Sequence, residues 1–224
     1  MTSLNLNIIL LTLKIAIIST LIVTIVSILL VWLLERANSK VKSISEMFIN
    51  FSLFLSPSVL GYILILILGK RGIIGAILYK HFNISVIFSW WAGIITAFMV
   101  SLPLMYNSVK TGIASLNPVY FEAGRECGAS ELQILRLITL PLIKKNILAG
   151  MVLSFGRAMG EFGATLMLAG NIPGKTQTIS MAIYSASESG DTQTANFFLA
   201  VILLISFTIM IVYNFLFKKE RDNI

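Results

Sequence analysis

The chain has 224 residues, 57% of them hydrophobic and 12% charged, with a mean hydropathy of +0.90. A water-soluble fold cannot hide that much apolar surface, so the composition excludes an ordinary soluble enzyme and suits one membrane-embedded domain over residues 1–224. The net charge of +7 comes from cations scattered over short connections with no basic face, which fits membrane lipid as the partner and not nucleic acid.

Long apolar runs without the alternation of barrel strands predict an all-α integral membrane fold. Five stretches reach the roughly 20 residues needed to cross the hydrocarbon, at 15–34, 51–69, 86–106, 146–168 and 195–217. The first ends at Trp32-Leu33-Leu34-Glu35-Arg36 with no basic leader and no small-residue cleavage site, so it reads as a retained span. Pro57 and Pro103 lie inside the second and third spans, where proline removes a backbone donor and tends to kink a helix. Such kinks either line a transport route or simply shape packing. Trp90 and Trp91 open the third span like an interfacial aromatic belt.

Charge sets the expected orientation. With the N-terminus outside, eleven cations lie inside, namely Arg36, Lys40, Lys42, Lys110, Arg125, Arg136, Lys144, Lys145, Lys218, Lys219 and Arg221. Five lie outside: Lys14, Lys70, Arg71, Lys80 and Lys175. The C-terminus is then cytoplasmic. Cys127 and His81 are each the only residue of their kind, which precludes an intrachain disulfide and leaves little for a metal site.

The connection between the third and fourth spans, residues 117–141, carries more information than a linker needs. Asn117 is placed to cap a helix that begins with Pro118, which requires no donor there. Gly128 suits the left-handed conformation that ends such a helix. Ser130 and Gln133 have the spacing of a capping box for a second short helix, and Pro141 follows where the chain returns to the bilayer. Two short helices, bent sharply, result. Their mixture of Val119, Tyr120, Phe121, Leu132 and Leu135 with Glu122, Arg125, Glu126, Glu131 and Arg136 fits either a docking knob or an amphipathic loop on the membrane surface.

The spacing Glu122-Ala123-Gly124, Gly128, Ile138 and Leu140-Pro141 resembles the EAA signature of ABC importer permeases, with Gly124 standing where Ala is usual. That resemblance implies a type I ABC importer permease fold of five transmembrane helices. It also implies that the loop is a coupling helix-turn-helix inserted into a cleft of a separate cytoplasmic ATPase. Glu122 would make a charge-assisted contact with a basic residue of that subunit, and Gly128 would permit the turn. ATP and Mg would be bound by the partner ATPase, leaving this chain without a cofactor or a catalytic site. The family pairs each coupling loop with one ATPase, which implies a second copy of the chain and two ATPases.

Two further motifs call for a reading. Gly170-Asn171-Ile172-Pro173-Gly174-Lys175-Thr176 resembles a phosphate-binding loop but has three residues between its glycines where four are needed, and it follows a membrane helix instead of a strand. The only aspartates, Asp191 and Asp222, follow no apolar strand that would present a magnesium ligand. Arg157 and Glu161 are the only ionisable residues inside the five spans, and their i,i+4 spacing puts them on one helical face. Either Arg157 offers favourable potential to a passing oxyanion or the two form a structural pair that locks the fourth span to its neighbours.

The words Phe155-Gly156-Arg157-Ala158-Met159-Gly160-Glu161-Phe162-Gly163-Ala164-Thr165 and Ile172-Pro173-Gly174-Lys175-Thr176 are similar to the molybdate branch of these permeases. So are Pro57-Ser58-Val59-Leu60-Gly61-Tyr62 and Lys70-Arg71-Gly72. This resemblance implies import of molybdate delivered by an extracytoplasmic molybdate-binding protein. A sulfate/thiosulfate or tungstate permease of the same fold is the near alternative. An ion-coupled secondary transporter is the distant one, which would show several intramembrane acids or an inverted repeat.

Overall fold

The computed structural model describes residues 3–217, so Lys218, Lys219, Arg221 and Asp222, used in the charge and aspartate arguments, lie outside the described residues. Every regular element among the described residues is helical. Helix α1 spans Ser3–Leu34, α2 Ser39–Phe51, α3 Pro57–Leu68, α4 Ile73–Phe82 and α5 Trp90–Ala114. The bent connection follows as α6 (Val119–Glu126), α7 (Glu131–Ile134), a π turn (Leu135–Thr139) and α8 (Leu140–Leu142). The chain then forms α9 (Lys144–Met159), α10 (Gly163–Ala169), α11 (Ile179–Glu188) and α12 (Thr192–Phe217).

The centre of the molecule is the three-helix contact of α1, α5 and α9. In lipid the apolar effect does not drive helices together, so close approach and internal hydrogen bonds hold them. Glycine makes the approach possible: a Cβ at Gly150 of α9 would stand 2.7 Å from Met105 Sδ and 2.8 Å from Ser108 Cβ. Beside it Ser108 Oγ donates to the Asn146 carbonyl at 2.7 Å. Val23, Val31, Met105, Tyr106, Val109 and Ile143 pack one end of this contact, and Ile15, Ala16, Ile94, Ala97, Ala158 and Met159 pack a second cluster along it. Three buried hydroxyls on α1 return to their own helix, Thr12 to Ile8 O, Ser19 to Ala16 O and Thr24 to Thr20 O.

Among the described residues three helices are long and apolar enough to cross a membrane alone, Leu4–Leu34, Trp90–Ala114 and Thr192–Ile211. They correspond to the expected first, third and fifth spans, with α1 running back to Ser3 and α5 on to Ala114. The other two spans are not the continuous helices expected. Helix α3 has 12 residues, about 18 Å of rise, and α4 continues it only after a 45° bend. The fourth span breaks at Gly160–Phe162 between α9 and α10, where two glycines flank the turn.

Pro57 needs correction too. It does not kink a span from inside but occupies the first turn of α3 behind the N-cap Ser56, whose side chain accepts from Val59 N. That position has no intrahelical partner for a donor, so a residue without N–H costs nothing there. Pro103 does lie inside α5, buried among the core residues. Helix α3 packs on α10 through Gly61, where a Cβ would meet Met167 Cβ at 2.8 Å and Ala164 Cα at 2.9 Å.

Helix α2 contributes no buried residue and is attached to α5 by polar contacts. Glu46 Oε1 accepts from Lys110 Nζ at 2.7 Å and from Tyr106 Oη at 3.0 Å, and Asn107 Nδ2 donates to Asn50 Oδ1 at 2.8 Å. The Lys110 ammonium, opposed in part by burial, holds the Glu46 carboxyl below the usual range. Helix α11 is tied to α1 in a comparable way, since Thr12 Oγ1 accepts from Ile179 N at 3.0 Å and so serves the first amide of α11.

Candidate functional site

The bent loop between α5 and α9 has the local chemistry its sequence promised. Asn117 Oδ1 accepts from Val119 N at 3.1 Å, and Pro118 is already in helical conformation as α6 begins. Gly128 has φ +78°, with nothing near the position of a Cβ, so it turns the chain out of α6. Ser130 Oγ accepts from Gln133 N while Gln133 Oε1 accepts from Ser130 N, a complete capping box for α7. Past α7 the ladder widens to a π turn in which Leu140 N reaches Leu135 O, just before Pro141, which has no N–H to give. The chain then bends by 73° into α9.

The signature residues divide into a packed side and an open side. Gly124 is buried, and a Cβ there would stand 2.9 Å from Ile138 Cδ1 and 3.2 Å from Ile134 Cγ1. Thus Gly124 and Ile138, fourteen positions apart, are partners across the bend. Ile134 and Leu135 are buried beside them, while Leu140 is half-buried and Pro141 exposed. Glu122 and Ala123 are exposed, and Glu122 makes no hydrogen bond or ion pair among the described residues. Val119, Tyr120 and Leu132 are also exposed, so an acidic group is offered on an apolar surface.

Sequence reasoning missed a cluster of charge at the root of this loop. Glu131 accepts from Arg125 Nε at 2.8 Å and from Arg36 Nη2 at 2.5 Å. These arginines, Arg125 foremost, hold its carboxyl below the usual range, and Glu131 in turn raises the Arg125 guanidinium. Arg36 also donates to Trp32 O at 2.7 Å and lies 4.2 Å over the Trp32 ring. Arg36 and Glu131 are 95 positions apart. No local spacing could have joined them.

The second candidate site is the break in the fourth span. Glu161 is buried and acts on both sides of it: Oε1 accepts from Ala164 N at 2.8 Å, satisfying an orphan donor at the start of α10, and Oε2 lies 2.9 Å from Arg157 Nη1 on α9. The Arg157 side chain is 35% exposed, and open space lies beside Gly156, one residue before it. The two residues therefore do meet, but across a helix break and not along one continuous face. Gly163 brings this break against the start of α3, since a Cβ there would stand 2.9 Å from Pro57 Cβ.

Several polar groups of the Gly170–Thr176 turn bond within the turn itself. Thr176 Oγ1 donates to Gly170 O at 2.8 Å and accepts from Ile172 N at 3.1 Å, while Thr176 N reaches Ile172 O at 2.9 Å. Amides held in this way are not a phosphate cradle.

A bundle of long apolar helices with a capped, bent and charged element defines a multi-pass membrane protein. The family follows from comparison with known proteins: the chain belongs to the family described as binding-protein-dependent transport system inner membrane component, whose model matches residues 27–219. It is 44% identical over 177 residues to the permease protein YvgM of Bacillus subtilis (strain 168), covering 79% of this chain and 78% of that one. It is 38% identical over 180 residues to the molybdenum transport system permease protein ModB of Haemophilus influenzae, covering 80% and 79%. Among solved structures, a bacterial ABC transporter that imports the acidic polysaccharide alginate shares the fold, with a TM-score of 0.73 at 19% identity over 96% of this chain and 80% of that one.

Proposed function

We propose that this chain is the permease subunit of an ATP-driven importer that carries molybdate across the cell membrane. In this reading two copies enclose one pathway, two cytoplasmic ABC ATPases bind below, and an extracytoplasmic molybdate-binding protein delivers the anion. The N-terminus lies outside and the C-terminus in the cytoplasm. ATP and Mg belong to the ATPases, and the chain itself binds no cofactor.

The observation that carries the proposal is the unpaired Glu122 on the exposed side of the capped helix-turn-helix. A charged group that makes no internal hydrogen bond or ion pair, set among exposed Val119 and Tyr120, is suited to a basic residue in an apolar cleft of another protein. The loop is stiff, being capped at both helix starts, packed through Gly124 and Ile138, and joined directly to α5 and α9. When ATP draws the two ATPases together, the docked loops move with them. The attached helices then shift between inward-open and outward-open forms, an equilibrium driven by differential contacts.

For the anion, Arg157, whose side chain is 35% exposed, supplies positive potential near the break of the fourth span. Glu161 orients the guanidinium and reduces its net charge, so that the oxyanion passes without being trapped. The near relation to ModB and the similarity of the 155–165 and 172–176 segments to the molybdate branch support molybdate as the solute.

Two measurements test this. A cysteine at Glu122 should crosslink to the partner ATPase, and absence of a crosslink in every nucleotide state would remove the docking role. ATP-dependent uptake into proteoliposomes containing the permease, its ATPase and its binding protein should be strongest for molybdate. Stronger competition by sulfate or tungstate would transfer the chain to the corresponding permease, and full-rate uptake without ATPase would make it a secondary transporter.

A further inference from the structure

Helix α1 is not joined to the bent loop by sequence, nor does its backbone pack extensively on α6 or α7. Its connection is made by side chains. From the last turn of α1 the chain of contacts runs Trp32, Arg36, Glu131, Arg125, ending on α6 one turn after Glu122. Each link is a hydrogen bond of 2.5–2.8 Å. Arg36, Arg125 and Glu131 themselves line a cavity of about 220 Å³, together with Trp32, Phe121 and Leu135. Apolar packing between α1 and the loop is therefore incomplete, and the carboxylate with its two arginines makes the direct connection.

We propose that Glu131 is a positioning residue that clamps the ATPase-docking loop to the end of α1, so that a pull on Glu122 moves α1 together with α5 and α9. This rests on the reading of the loop as the ATPase-docking element. Loss of Glu131 thus loosens the loop from α1. The side chains of Arg36, Arg125 and Glu131 are 37%, 57% and 42% exposed, and pairs so exposed add little to stability, so the expected effect is on coupling and not on folding.

The test uses the complete permease, ATPase and binding-protein complex in proteoliposomes. Glu131→Gln is expected to lower anion uptake per ATP hydrolysed by about two- to thirty-fold, with an unchanged melting temperature and unchanged ATPase content. In a Cys127→Ser background, Arg36→Cys with Glu131→Cys should be poorly coupled when free and regain coupling when joined by a bismaleimide. A wild-type uptake-to-hydrolysis ratio in Glu131→Gln overturns the clamp, as does a joined pair no better coupled than the free one. Loss of ATPase binding in Glu131→Gln overturns it too, by placing Glu131 in the docking surface. Absence of ATP-dependent uptake by the wild-type complex instead overturns the functional reading on which the clamp rests.

Discussion

Gly61 and Gly124 show how the same residue type is fixed by different neighbours. A methyl group at Gly61 meets backbone, with Ala164 Cα at 2.9 Å and Ala164 O at 3.1 Å, and neither helix can yield without moving. At Gly124 its nearest neighbour is Ile138 Cδ1, the far end of a flexible side chain. Gly61→Ala is therefore expected to destabilise by about 1–3 kcal/mol, and Gly124→Ala by about 1 kcal/mol or less, since overpacking costs most where nothing can rotate away. Thermal unfolding of the detergent-solubilised protein checks both; an equal shift would show that the loop packs as rigidly as the α3–α10 contact. Glu161 offers a second comparison. Glu161→Ala removes the acceptor of Ala164 N and the partner of Arg157 and is expected to cost about 1–3 kcal/mol, whereas Glu161→Gln keeps an oxygen for the amide and should cost less. Similar losses for the two would assign the stabilisation to the ion pair alone.

Among the elements, α2 and the loop were legible to different degrees. Every cap of the loop was readable, because Asn117-Pro118, Gly128 and Ser130-Gln133 act on backbone groups within three residues. The attachment of α2 was not, because it depends on Glu46, Lys110 and Tyr106, which only tertiary packing brings together. Its pH dependence follows from the depressed Glu46 carboxyl. The unfolded chain takes up that proton at higher pH than the folded one. The stabilisation is thus complete above the ordinary glutamate range and fades as the pH falls through that range toward the lower folded value. Wild type should lose melting temperature between pH 7 and pH 4 by more than Glu46→Gln does, and equal losses would show that the Lys110 contact contributes nothing to holding α2.

At the scale of the whole molecule, the three unbroken spans were visible as apolar runs, and the alternation of cations between them gave the expected orientation. The second and fourth spans were misread as continuous because their hydropathy does not fall where the backbone breaks. Gly160, Phe162 and Gly163 are as apolar as their surroundings, and the single charge of Glu161 looked like a residue on a helical face. In the folded chain it caps α10 instead. At the break the freed Ala164 amide finds a buried acceptor within the protein, Glu161 Oε1. Pro57 was assigned to a kink for a similar reason, since its place inside an apolar run concealed the helix start at Ser56.

The sequence by itself determined the class of protein, the long apolar runs and the cap-and-turn construction of the bent loop, since each depends on composition or on bonds between near neighbours. Only the tertiary structure decided which helices touch, where two of the crossings break, that Glu161 faces both sides of a break, and that Arg36 reaches Glu131 over 95 positions. These contacts form between groups distant in the chain. They are set by glycine-permitted helix approach and by hydrogen bonds between groups far apart in sequence.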